Sequence, residues 1–152
     1  MMNPTGQPIR NDPGGLGYYG APRIKVINGK QIHYMHQGID FSCTPGQTIV
    51  APCACYIVRI ARPYATGHYE GLLLRSKRAT FKFFYLMPNR SLIGKTVSQG
   101  EPIGWAQDIS LRYPQTGVTP HVHLEIDHCD PMIIYGKTDF TEEDLWYSPE
   151  SH

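Results

Sequence analysis

Long hydrophobic runs are missing from these 152 residues. No stretch approaches the ~18 consecutive apolar side chains of a membrane-spanning helix. Residues 1–15, MMNPTGQPIRNDPGG, hold no apolar stretch of the kind that marks a secretory leader. That predicts a cytoplasmic protein, or one that leaves its cell without a leader, as a component of a virus particle does. An excess of one charge is missing too. Lys and Arg number 14 against 13 Asp and Glu, a net charge of +1. The balance gives no general pull toward nucleic acid or an acidic membrane. The densest basic stretch, Arg75 to Arg78, reads as a solvated loop or strand end. Repeats, heptads and low-complexity tracts are absent, and helical periodicity holds nowhere for a helix length. Cysteine is scarce: Cys43, Cys53, Cys55 and Cys129. The spacing Cys53-Ala54-Cys55 is not the C-x-x-C of zinc ribbons or redox loops. Two residues apart on a strand, these thiols would lie roughly 6–7 Å from each other, too far for an unstrained disulfide. They read as small buried hydrophobes. A Cys43–Cys129 bridge is the alternative use of the remaining pair.

What is present is an ordinary globular composition, 41% hydrophobic and 18% charged, at a length that closes one core. Residues 3–22 are rich in Gly, Pro and Asn and read as an irregular lead-in. RIKVING and KQIHYM form a hairpin signal around Asn28-Gly29, the preferred type I′ turn pair. GIDFSC, TIVAPCACYIVRIARPY broken near Ala51-Pro52 into a strand and a longer one, GLLLRS, TFKFFYLM, Thr96–Val97, Ile103–Ala106 and HVHLEID follow as short strands split by turn residues. DISLRYPQ holds one helical turn at most. TEEDLWYS, with Thr141 as N-cap, predicts a short C-terminal helix. The expected fold is therefore all-β: a single domain with an antiparallel folded sheet or sandwich.

Two histidines two apart in TPHVHLEI raise a chemical question. Strand side chains alternate, so His121 and His123 share one face while Val122 and Leu124 share the other. The histidine face need not be the core face. HQGID adds His36 and Asp40, which a straight strand would hold ~13 Å apart; Gly38 between them permits a bend. Two imidazoles and one carboxylate suit Zn²⁺, and three protein ligands with one open position are the catalytic pattern. Zinc lowers the pKa of a bound water to about 7, and a neutral neighbouring His can take its proton. Either motif alone is common in structural roles. Their joint occurrence with Gly and Pro punctuation is the stronger signal.

These segments make the chain recognisable. HQGIDFSCTPGQTIVAPCACYIVRI, VSQGEPIGWAQDIS and TPHVHLEI resemble the H-x-G-x-D, V-x-x-G-x-x-I-G and T-G-P-H-L-H-F-E motifs of the lysostaphin/LytM-type zinc metallopeptidases, peptidase family M23. The resemblance runs from about Tyr18 to Pro131. It implies an all-β fold with zinc on the floor of a groove. His36, Asp40 and His123 are the implied metal ligands for one Zn²⁺, and His121 is the implied base. Two departures stand out. Tyr85, in FFYLMP, occupies the position of a further catalytic His, and Cys55 replaces a family Gly. YIVRIARPY with FYLMP resembles the leukocyte cell-derived chemotaxin-2-like branch, whose animal members keep the zinc site without peptidase activity. This chain, with its different cysteine set and no leader, looks more like bacterial or bacteriophage relatives of that branch. Loss of one oxyanion donor costs ~10²–10³ in rate, and a neutral phenol still donates, so catalysis with Tyr85 in that role is the expectation.

The implied activity is zinc-dependent cleavage of peptidoglycan cross-link or stem peptides. Its implied setting is a virion tail tip beside other tail proteins; the alternative is an inactive zinc-binding module serving a structural or binding role there. Arg23, Tyr113 and Thr119 are the expected substrate contacts, Arg23 through a carboxylate. Glu125 shares the His121 and His123 face and is placed to orient a ligand His. His33 and His68 read as rim or surface residues. His128 beside Cys129 has no second ligand pair to complete a zinc site. The chain divides into an arm at 1–22, the M23-like domain at 23–136 and a tail at 137–152.

Overall fold

Alternation governs the main sheet, whose strands give one face to the core. The computed structural model describes residues 1–76 and 80–126. In chain order the strands are β1 (Asn11–Asp12), β2 (Gly15–Leu16), β3 (Pro22–Ile27), β4 (Lys30–Met35), β5 (Ile39–Ser42), β6 (Thr48–Val50) and β7 (Cys55–Ala61). They continue as β8 (Gly71–Arg75), β9 (Thr80–Phe84), β10 (Leu86–Pro88), β11 (Thr96–Val97), β12 (Pro102–Ala106) and β13 (His121–Ile126). Single 3₁₀ turns at Arg90–Leu92 and Ile109–Arg112 are the helical elements among the described residues. The expected turn in DISLRYPQ is the second of these. The helix expected at TEEDLWYS, with Cys129 and His128, lies outside the described residues.

Six strands form the main sheet in the order β11-β7-β8-β9-β13-β5, and three form a second sheet, β10-β12-β6. All pairings are antiparallel. Phe41, Leu72, Leu74, Phe81, Phe83, Val122 and Leu124 of the main sheet are fully buried, against Ile49, Leu86 and Ile103 of the smaller one. Each such side chain contributes ~1.5–3 kcal/mol by leaving water, which makes this interface the stability of the domain. Cys43, Cys53 and Cys55 belong to the same core. Cys53 precedes β7 rather than sharing a strand face with Cys55. Cys43 is a free buried thiol, pushed up to about 12 by burial and Asp108, rather than half of a bridge.

TFKFFYLM is two strands, not one. Tyr85 breaks it with φ of 71°, in the left-handed region. There the chain leaves the six-stranded sheet and enters the three-stranded one. The backbone N–H groups of Tyr85 and Leu86 both donate to the Glu70 carbonyl, at 2.8 and 3.2 Å, and hold the corner. A non-glycine residue there costs ~1–3 kcal/mol and needs surrounding structure to enforce it. The hairpin signal is realised in full: β3 and β4 pair through the Asn28-Gly29 turn, with φ of 51° and 76°. Residues 1–21 are irregular apart from the two-residue strands β1 and β2, yet docked. Ile9 bridges Phe41, and Ser42 donates to the Pro8 carbonyl.

Candidate metal centre

Register brings the two motifs together. β13 lies between β9 and β5, and His123 sits directly across from Asp40. Both project from the face opposite the core, because Ile39, Phe41, Val122 and Leu124 take the other. His36 is not on that strand. It follows β4, and its backbone is pinned by His36 N–H to Ala21 O at 2.9 Å and Gly20 N–H to His36 O at 2.8 Å. The chain then turns at Gln37-Gly38 and returns as β5. A Cβ at Gly38 would lie 2.6 Å from the Leu124 carbonyl oxygen and 2.7 Å from His123 Cε1. Only glycine allows this approach.

Three donor atoms converge. His36 Nε2 and His123 Nδ1 are 3.0 Å apart, His123 Nδ1 and Asp40 Oδ1 2.8 Å, and His36 Nε2 and Asp40 Oδ1 3.2 Å. The other imidazole nitrogens explain their orientation. His36 Nδ1 donates to the Tyr18 carbonyl at 3.1 Å, and His123 Nε2 donates to Glu125 Oε1 at 2.9 Å. In those tautomers, three lone pairs point at one another, an arrangement that repels itself without a positive charge between them. In the metal-free protein a proton supplies it. Burial opposes that proton, but Asp40 and Glu125 raise His123 to about 9. Burial likewise opposes the Asp40 charge, while His123 and His36 hold its carboxyl well below the usual range. A divalent cation held there would take the place of the proton. Two nitrogens and one oxygen, each braced from behind, fit zinc, so His36, Asp40 and His123 form a site able to hold a metal.

Asp40 has a second, unforeseen support. Arg10, 5% exposed, donates from Nη1 to Asp40 Oδ2 at 3.0 Å and from Nε to Asp12 Oδ2 at 2.8 Å. Oδ2 is thereby occupied and Oδ1 is left for the ion. Asp12 also accepts from the Thr119 N–H and hydroxyl, at 2.8 and 2.7 Å. Thr119, expected to touch substrate, is thus tied to Asp12, and its carbonyl accepts from His121 Nδ1 at 2.8 Å. That bond fixes the His121 tautomer with Nε2 unprotonated, 3.7 Å from Asp40 Oδ2. Burial lowers the His121 pKa, so the ring is neutral.

Tyr85 stands across from His121, its ring edge-on at 5.5 Å between centroids. Burial, with Tyr64 next, pushes its pKa far up, so the phenol keeps its proton. Its hydroxyl lies 3.3 Å from that of Tyr64, which lies 2.8 Å from that of Tyr113. The Arg112 guanidinium covers the Tyr64 ring at 3.7 Å. Tyr64 escapes a reading of the sequence, since three tyrosines in separate loops carry no spacing signal. Arg23 reaches within 3.6 Å of Asp40 Oδ2, and its buried Nη2 makes no hydrogen bond among the described residues. His33 and His68 are exposed; His68 stacks on Tyr69 at 4.5 Å. Metal donors, His121, Tyr85, Arg23 and Tyr113 all line one groove of about 820 Å³.

Comparison with known proteins agrees with this geometry. The profile of peptidase family M23 matches residues 34–134. Myeloid protein 1 of Gallus gallus is 30% identical over 85% of this chain, which spans 38% of that protein's length. Leukocyte cell-derived chemotaxin-2 of Bos taurus is 30% identical over 80% of this chain and 75% of its own. The catalytic domain of the antimicrobial peptidase lysostaphin from Staphylococcus simulans superposes with a TM-score of 0.55. It is 25% identical, covering 80% of this chain and 91% of that one. A zinc containing peptidase from Vibrio cholerae shares the fold, with a TM-score of 0.53 and 22% identity over 81% of this chain and 35% of its own. The chain belongs to peptidase family M23, as a lysostaphin/LytM-type member similar to leukocyte cell-derived chemotaxin-2.

Proposed function

We propose that this chain is a zinc-dependent endopeptidase acting on the cross-link or stem peptides of peptidoglycan. One observation carries the reading: a neutral base and a neutral hydroxyl donor, their rings edge-on 5.5 Å apart, line the same open groove as the three-donor site. A zinc ion held by His36, Asp40 and His123 would supply Lewis acidity to a water and to the scissile carbonyl. His121 Nε2 accepts the proton of that water as its oxygen adds to the carbonyl carbon. The carbon–nitrogen bond then breaks, and His121 returns the proton to the leaving amine. Tyr85 donates its O–H toward the oxygen that gains charge, in place of the imidazole expected there. Arg23 and Tyr113 bind the peptide on either side, while Thr119 holds His121 in its tautomer.

The test is incubation of the zinc-loaded protein with purified peptidoglycan, following new amines. Release that stops with chelator, and stops in His121→Ala although that variant keeps its zinc, supports the reading. A second reading, a zinc-binding module without catalysis, is favoured by Tyr85 and by the chemotaxin-2 likeness. No amine release from zinc-loaded protein selects it. Residence at a virion tail tip is a separate proposal, tested by looking for the chain in purified particles.

A further inference from the structure

Among the described residues the β3–β4 ribbon is a two-stranded sheet of its own, joined to neither larger sheet by strand pairing. Two-stranded ribbons are marginal in water unless something packs on them. Register sorts its side chains into two unlike faces. Pro22 with Met35, Ile24 with His33 and Val26 with Gln31 lie on one, which has no Lys or Arg. Arg23 with Tyr34, Lys25 with Ile32 and Ile27 with Lys30 lie on the other. All three cations of the ribbon are therefore on a single face, one per cross-strand pair, and the segment 22–35 has no acidic residue. Successive pairs on that face are ~7 Å apart, the repeat of alternate side chains along an extended peptide. The face also has a direction. Arg23, at its inner end, lies 3.6 Å from Asp40. Lys25 and Tyr34 line the same groove as His36 and His123. Lys25 Nζ sits 5.1 Å over the Tyr34 ring, and Lys30 at the tip is exposed.

We propose that the Arg23–Lys25–Lys30 face of this ribbon is a docking platform for an extended peptide bearing carboxylates at alternate positions, leading it into the metal groove. The assignment rests on the groove being one that takes peptides. Charge complementarity and continuity with the metal site select this occupant. The peptide's carboxylates meet the three cations in turn, while its apolar parts cover Ile27, Ile32 and the Tyr34 ring.

Fluorescence anisotropy on the zinc-loaded His121→Ala protein tests the platform without hydrolysis. Two labelled peptides are compared, one carrying Glu at three alternate positions and the other Gln. The acidic peptide should bind about tenfold more tightly, on the order of what two or three exposed ion pairs supply. Adding Lys25→Gln with Lys30→Gln should bring the two affinities within about twofold at unchanged zinc content, whereas Val26→Thr with Gln31→Thr, a cross-strand pair on the opposite face outside the groove lining, should keep the preference. Equal binding of the two peptides, a preference that survives the lysine changes, or one lost equally from both faces overturns the platform. So does absence of binding by zinc-loaded protein, or equal competition by polyphosphate, which marks a general anion surface. Charge-dependent binding by a protein that releases no amine from peptidoglycan leaves the platform standing and removes only the peptidase reading.

Discussion

The groove has two walls built on opposite plans. Its floor comes from β5, β13 and the turn after β4, where Asp40, His121 and His36 are 2%, 5% and 8% exposed and each is held by named partners. Its outer wall is the β3–β4 ribbon, where Ile24, Met35 and Val26 are 57%, 64% and 68% exposed. A metal and a proton transfer need atoms fixed within a few tenths of an ångström, which buried networks provide. Recognition of a long, variable chain tolerates looser holding, and segments with few buried contacts supply it. Changes to the floor should therefore alter metal content, rate and stability together. Changes to the ribbon should alter binding alone.

The largest effect is expected from Asp40→Ala. It removes a metal ligand and leaves the Arg10 guanidinium buried with Asp12 alone. Breaking a buried pair from one side costs ~3 kcal/mol or more. For a domain of this size that is about 6–12 °C in Tm. Elemental analysis should find far less than one zinc per chain. Full zinc occupancy in this variant would mean the floor does not work as described.

Next come the phenols. Tyr85→Phe should lower kcat ~10²–10³-fold with zinc retained, the usual loss for one oxyanion donor. Tyr64→Phe touches nothing at the metal but removes the partner of the Tyr85 hydroxyl. It should cost less, about threefold to tenfold in kcat with little change in KM, the pattern of a lost orienting hydrogen bond. Steady-state kinetics on a defined cross-link peptide separates the two. Equal losses would make Tyr64 a direct contact rather than a positioning residue.

What can be read in the sequence follows from the range of each signal. His36, Asp40, His121 and His123 are legible because strand alternation and a glycine bend are local facts, and the structure brings their side chains together. The core residues of β8, β9 and β13 are legible for the same reason. Arg10 is not. It lies 30 residues from Asp40, in a segment whose Gly and Pro content signals only irregularity. The Tyr64–Tyr85–Tyr113 chain is likewise a product of three loops meeting. The break at Tyr85 is hidden because FFYLM around it is apolar and aromatic throughout, so composition carries no mark of the change of sheet. Thr119 is legible by its place before H-x-H, which suggests a substrate contact. Its bond to Asp12, 107 residues away, gives it a holding role as well, and no local signal announces that bond.

A pH experiment examines the Arg10–Asp12 support from another side. Burial works against the Asp12 charge, yet Arg10 and Thr119 lower its pKa from 3.8 to about 2. A carboxyl depressed on folding stabilises above its ordinary pKa and loses that contribution as pH falls toward the folded value. In chelator-treated protein, wild type should exceed Asp12→Asn in stability by on the order of 1 kcal/mol above pH ~4, allowing for solvent screening. The gap should narrow as pH falls toward about 2, followed by denaturant unfolding at each pH. A gap independent of pH would make Asp12 a neutral hydrogen-bond acceptor only.

The smallest effect belongs to the ribbon's uncharged face. Val26 is 68% exposed and lies across from Gln31. Val26→Thr keeps the β-branch and the strand preference, and it leaves no cavity and no buried polar atom. Surface changes of this kind stay within ±0.5 kcal/mol, so Tm should move by less than about 2 °C. Zinc content should not move at all, because Val26 lies outside the lining of the groove that holds the donors. A drop comparable to that of Asp40→Ala would show Val26 packed against something in solution. The ribbon would then be a buried element like the floor, and the division of labour between the two walls would not hold.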